Sequence, residues 1–168
     1  ALRQRLSRYM IRNCRLETHL KLPPRRVLMR RLIASKEEKV VYESLTQFIR
    51  ESYYMVSRSP KGLNQLTLML LQKLATSSPE ALRLSLEGIL KKGELSGEME
   101  DSFLSIKENC NKVVQAVKFE EVMRFVTKEA QGDKVIVFTQ FRATQQQLVR
   151  LLQREGIPTA EFHGEMNV

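Results

Sequence analysis

Residues 133–164 read DKVIVFTQFRATQQQLVRLLQREGIPTAEFHG, and this stretch decides the predicted fold. Residues 134–138 form an apolar, β-branched run that is typical of a central strand in a parallel sheet. Residues 145–154 place three leucines on one helical face, and Gly156 then favours the end of that helix. A second short strand is predicted over residues 159–162. Two strands joined by a helix normally make a right-handed crossover, so the sequence predicts a βαβ unit.

The chain upstream of this unit is predicted to be mainly helical. Apolar residues recur at helical spacing through most of residues 35–126. Ser35 and Glu38 form a capping-box pattern, and Ser78 followed by Pro79 is a second helix start. Residues 27–34 are predicted to be a strand or an extended segment, and residues 93–101 are predicted to be a polar, mobile loop. The fold class expected from the sequence is therefore mainly α with a C-terminal βαβ unit.

The positive charge of the chain is concentrated at one end. The 168 residues carry a formal net charge of +9, and residues 1–31 hold ten basic side chains against one acidic one. The remaining residues balance, with eighteen basic and eighteen acidic side chains. Such a block attracts polyanions by releasing their counterions, which favours proximity to nucleic acid. The alternative is a solvated amphipathic face whose acidic partners lie in sequence outside these residues.

Several function classes are excluded by what the sequence lacks. No apolar run approaches the length of a membrane span, and the two cysteines lack metal-ligand or CxxC spacing, which favours a reduced intracellular protein. Two histidines are too few for a histidine-rich metal site. No GxxxxGK[ST] phosphate loop and no credible nucleophile–base arrangement is present. We therefore expect no catalytic residue, no bound cofactor and no ATPase activity from these residues alone.

The candidate binding residues follow the two predicted strands. Thr139 and Gln140 come directly after the first strand, Arg142 lies close by, and Gly164 ends the second strand. Ligands of open α/β sheets bind beyond the carboxyl ends of the strands. Hydroxyl, amide and guanidinium groups there are suited to contacts with nucleic-acid phosphates. The alternative is that Thr139 and Gln140 only satisfy the strand end and cap the following helix.

Two stretches resemble known motor proteins. Residues 132–166 resemble the opening of the second RecA-like lobe of superfamily-two helicases, and KVIVFTQF within them resembles motif IV. Residues 5–27, RLSRYMIRNCRLETHLKLPPRRV, are similar to the end of the first lobe of Swi/Snf-type ATPases. Arg12 matches the first of two adjacent family arginines, whereas Asn13 departs from the second. The resemblance does not extend to residues 57–117, where no motif matches.

The resemblance implies a domain organisation and an activity. Residues 1–34 would be the tail of the first RecA-like lobe, residues 35–117 a helical insert or linker, and residues 118–168 the start of a partial RecA-like α/β lobe. The longer protein would couple hydrolysis of ATP, with Mg²⁺, to movement along double-stranded DNA. Arg12 would either brace the lobes or contact the DNA backbone. The chain is thus expected to be a central part of a DNA-dependent ATPase.

Two alternatives remain open at this point. Fork-processing superfamily-two helicases share a VFTxxRxT form of motif IV, although LPPRR after RYMIRN favours the Swi/Snf type. A non-catalytic helical adaptor that binds nucleic acid or protein is the second alternative. An open strand edge at residues 135–138 would also permit self-association. The expected location is intracellular, whether cytoplasmic, nucleoid-associated or nuclear.

Overall fold

A computed structural model describes residues 9–10, 24–56 and 63–166, without the side chains of residues 54–56. The chain divides into two compact units, residues 1–31 and residues 32–168. The described part of the first unit, residues 9–10 and 24–31, is exposed and contains no helix. The predicted boundary between residues 117 and 118 stays a prediction.

The second unit is built from six α-helices over the residues described. They are α1 (Lys36–Val56), α2 (Gln65–Ser77), α3 (Pro79–Leu90), α4 (Gly97–Lys112), α5 (Val117–Arg124) and α6 (Arg142–Arg154). A short π-helical turn, Phe125–Glu129, continues α5. No described helix is both long enough and apolar enough to cross a membrane.

The helix starts follow from local capping, as the sequence predicted. The Ser35 Oγ accepts a hydrogen bond from the Glu38 backbone N–H, and the Glu38 carboxylate accepts one from the Ser35 N–H at 2.8 Å. These two bonds confirm the capping box at the start of α1. The Ser78 Oγ accepts a hydrogen bond from the Ala81 N–H, and Pro79 opens α3. Because proline needs no partner for its missing N–H, this order of residues favours a helix start.

Two separate apolar clusters hold the helices together. The larger one joins α1, α2, α3 and α4, and its most deeply buried members are Leu45, Leu68, Leu71, Leu82, Leu86, Phe103 and Ile106. The smaller one joins α5 to α6 through Ala116, Phe119, Leu148 and Leu152. Because α6 contributes to the smaller cluster while Phe141 and Ala143 pack against the larger one, the start of α6 lies where the two clusters approach each other.

The predicted polar loop over residues 93–101 was wrong in part. Helix α4 begins at Gly97, so much of the predicted polar loop over residues 93–101 is its first turn. It ends at Lys112, and Val117 starts a separate helix instead of continuing it. Residues 113–116 are non-helical, so the apolar spacing of Val113 and Val117 does not continue α4. Neither Ser96 before α4 nor Ala116 before α5 makes a side-chain capping bond, so no capping signal in the sequence marks these starts.

The predicted C-terminal βαβ unit and partial RecA-like lobe were also wrong. Its central helix is present as α6, but residues 134–139 and 157–163 form neither helix nor strand, and no strand occurs among the described residues. Ile136 and Phe138 are 78% and 91% exposed. A β-branched run becomes a strand only where another extended backbone lies beside it to share hydrogen bonds. No described segment takes that position, so self-association through a strand edge also lacks support there. Residues 27–34 likewise form neither helix nor strand, so the strand predicted as one possibility there is absent.

A buried cysteine offers a test of the larger cluster. Burial is the main cause that raises the pKa of the Cys110 thiol to about 12, and the nearby Arg83 guanidinium opposes that shift. We expect Cys110 in the folded protein to resist alkylation at neutral pH and to react readily once urea unfolds the chain, because the thiolate is the nucleophile. Mass spectrometry of a Cys14→Ser variant would follow Cys110 alone.

The raised pKa of Cys110 also predicts how the stability of the fold changes with pH. Because the pKa of Cys110 is higher in the folded state, folding favours the neutral thiol. The contribution of the Cys110 thiol to the free energy of unfolding is complete below the pKa of an exposed thiol. It is lost as the pH rises towards about 12. Rapid alkylation of the folded protein at neutral pH would contradict the buried position of this residue.

Candidate functional site

The structure places four of the five predicted site residues near the start of α6. Thr139 and Gln140 lie in the exposed segment before the helix, and Arg142 is its first residue. Gly164 begins an exposed turn after the extended segment that follows α6. Arg12 lies outside the described residues. Thr139 and Gln140 do not cap the helix, because Phe141 holds the N-cap position and no side chain donates or accepts a capping bond there.

Arg142 is the charged group at the centre of this region. Its Nη1 atom lies 3.3 Å from Glu165 Oε2, which is within ion-pair range. Nevertheless, neither Nη1 nor Nε makes a hydrogen bond, although both atoms are shielded from solvent. Two guanidinium donors are therefore unused, while the side chain as a whole is 39% exposed. Because Glu165 adjoins Gly164, the ion pair brings the turn and the helix start together.

The first turn of α6 has further capacity to bind an anion. The Gln145 N–H donates to the Phe141 carbonyl at 3.0 Å and closes the first helical turn. The preceding N–H groups lack a side-chain cap, and the positive end of the helix dipole lies at the same place. An arginine beside an uncapped helix start is a combination that suits phosphate oxygens.

Hydrogen bonds attach the flanking segments to α6 and to the helical cluster. The Gln145 Nε2 donates to the Phe162 carbonyl at 3.1 Å, which ties the C-terminal extended segment to the helix. Helix α5, which packs against α6, is itself held at its start by two contacts. The Glu38 carboxylate accepts from the Val117 N–H at 3.2 Å, and the Lys118 Nζ donates to the Thr76 carbonyl. The candidate site therefore rests on helices that are bonded to α1 and α2.

Sequence reasoning missed two residues of this region. Glu165 pairs with Arg142 but stands in no motif. Thr144 is buried together with Leu148 and Leu152 on the inner stripe of α6. The available signal was the spacing of Thr144, which stands four residues before Leu148 and so falls on the apolar stripe. A polar side chain on such a stripe requires a hydrogen-bond partner inside the protein.

The residues present do not fit ATP or its Mg²⁺. The 168 residues contain no phosphate-loop motif. Within the described ranges no group of three or more His, Cys, Asp or Glu side chains could hold a metal ion. Arg142 itself is paired with Glu165, and a nucleotide site would also need a phosphate cradle. No catalytic step is therefore assigned to these residues.

Comparison with known proteins points to the helicase class. The chain is similar to part of a helicase-like protein. That relative is the "Uncharacterized ATP-dependent helicase YqhH" of Bacillus subtilis (strain 168), and the two are 30% identical over 165 residues, which is 97% of this chain. The chain spans only 28% of the length of that relative. No family model matches the chain, and no solved structure matches it.

Proposed function

We propose that the chain is part of an ATP-driven, helicase-like motor of the Swi/Snf type, and that the start of α6 contacts the DNA backbone. The helicase class is supported by the similarity that runs through nearly the whole chain. The role in DNA binding is carried by one observation: Arg142 stands at an uncapped helix start, its side chain is 39% exposed, and its Nε and Nη1 atoms make no hydrogen bond. ATP and Mg²⁺ are proposed for the longer protein and not for this segment.

The expected mode of contact is with phosphates and not with bases. Arg142 would bind a phosphate oxygen, while Thr139 and Gln140 would supply a hydroxyl and an amide from the exposed segment before it. The Gly164 turn would lie beside them through the ion pair of Glu165 with Arg142. Contacts of this kind carry no base information, so binding should be independent of sequence. We propose double-stranded DNA as the substrate, in keeping with the Swi/Snf resemblance.

The test measures binding to a fluorescent duplex of random sequence by anisotropy over a series of salt concentrations. Arg142→Ala is expected to weaken binding about tenfold at low salt and to reduce the slope of log K against log[salt] by about 0.9, because one phosphate contact is lost. Glu165→Gln is expected to strengthen binding a few-fold, since the carboxylate competes with phosphate for the same guanidinium. An unlabelled single strand used as competitor tests the preference for duplex.

Arg154→Ala is the matched control. It removes the same charge from the same helix at its last residue, away from the first turn. The site is refuted if Arg142→Ala and Arg154→Ala weaken binding equally, because the effect is then one of net charge. Absence of duplex binding by the unaltered chain at any salt concentration would refute the nucleic-acid role itself.

A further inference from the structure

Three hydroxyl groups form a buried cluster behind the candidate site. The Thr144 Oγ1 lies 2.8 Å from the Ser77 Oγ and 3.0 Å from the Ser78 Oγ. We call these three residues the hydroxyl triad. Ser78 and Thr144 are 1% and 7% exposed. The triad joins the corner between α2 and α3 to the first turn of α6, although the serines and the threonine are 67 and 66 residues apart in sequence.

One order of donors in the triad satisfies the bonds around it. The Ser78 Oγ already accepts a hydrogen bond from the Ala81 N–H at 3.1 Å. Its own proton needs an acceptor, and Thr144 Oγ1 is the one that the described part of the structure provides. Thr144 then donates to Ser77, which is the less buried end. This order gives every buried hydroxyl proton an acceptor, and bonds aligned in one direction reinforce one another.

The serine side of the triad is a fixed point of the helical cluster. Ser78 is the C-cap of α2, since its N–H donates to the Leu74 carbonyl at 3.0 Å, and it is also the N-cap of α3. The corner is therefore anchored by backbone bonds of two helices. Helix α6 also packs against α3. The pKa of Glu80 on α3 is lowered mainly by its hydrogen bond with Arg83, and the charge of Arg150 on α6 lowers it further.

We infer that Thr144 is a positioning residue that fixes where the first turn of α6, and hence Arg142, stands relative to the α2–α3 corner. The inference rests on the proposed contact of Arg142 with phosphate. Thr144 lies two residues after Arg142 in the same helical turn, so a rotation or shift at one displaces the other. Two hydrogen bonds to a fixed corner define both the rotation and the height of the turn. The helical region without a sequence motif thereby sets the geometry of the DNA contact.

The test compares Thr144→Val, which keeps the shape and removes the hydroxyl, with Thr144→Ser, which keeps the hydroxyl. We expect Thr144→Val to weaken duplex binding on the order of fivefold, and Thr144→Ser to bind within about twofold of the unaltered chain. In an Arg142→Ala background the same valine substitution should have almost no further effect, because it acts through Arg142. A loss of equal size in both backgrounds would overturn the inference.

Hydrogen exchange supplies a measurement that does not depend on DNA. The Gln145 amide, which bonds to Phe141, should exchange faster in Thr144→Val than in Thr144→Ser, while the Leu152 amide further along α6 keeps its rate. Unchanged exchange at Gln145 overturns the positioning role even if DNA binding is altered. If the unaltered chain does not bind DNA, the proposed function fails. The hydrogen-exchange rate of Gln145 then tests the positioning role of Thr144 by itself. Should the valine variant not fold, Ser77→Ala at the more exposed end is measured in its place.

Discussion

Replacing Phe103 by alanine is expected to lower the free energy of unfolding by about 3–5 kcal/mol. Phe103 on α4 is 0% exposed, and its ring meets that of Phe48 on α1 edge to face, with centroids 4.9 Å apart and an interplanar angle of 67°. The substitution would leave a cavity between two helices and would remove the aromatic pair, which is itself worth about 0.5–1.5 kcal/mol. Urea unfolding followed by far-ultraviolet circular dichroism measures the change.

The neighbouring residue gives a matched control for this experiment. Leu104 lies on the same helix but is 47% exposed. Leu104→Ala should therefore cost well under half as much as Phe103→Ala, because little apolar surface is lost from the interior. A change of less than about 1 kcal/mol for Phe103→Ala would show that α4 does not pack against α1 as described.

Neutralising four arginines of the first unit is expected to reduce duplex binding by about 10²–10³ near physiological salt if each contacts one phosphate. The change replaces Arg25, Arg26, Arg30 and Arg31 by glutamine, all of them in an exposed stretch without helix. Their side chains belong to the block that holds the whole net charge of the chain. Each lost contact should also reduce the salt slope by about 0.9, and anisotropy over a salt series measures both quantities.

A control with the same change of net charge separates location from total charge. Lys36, Lys39, Lys91 and Lys92 are exposed and lie in the second unit. Their replacement by glutamine should reduce binding far less, since these positions alternate with acidic residues in the balanced part of the sequence. Equal losses in the two variants would mean that binding follows net charge alone. Unchanged salt slope in the arginine variant would place the contacts elsewhere.

The candidate site was predictable in part. Arg142, Thr139 and Gln140 stand out because their side-chain chemistry suits phosphate and because they follow a recognisable apolar run. The pairing of Arg142 with Glu165 could not be predicted, since it depends on how the turn after Gly164 folds back towards α6. The partners of Thr144 were equally hidden, because a sequence pattern shows that a buried hydroxyl needs a partner but not where that partner lies.

The sequence by itself determined where α1 and α3 begin and which faces most helices bury. Ser35 with Glu38, and Ser78 with Pro79, act through bonds that span three residues, so neighbouring residues suffice to predict them. Tertiary structure alone decided the state of residues 134–138 and the role of Thr144. A strand requires a second backbone beside it, and the hydroxyl triad requires a corner 67 residues away in the chain. Such partners are set by packing between distant elements, which local propensity does not encode.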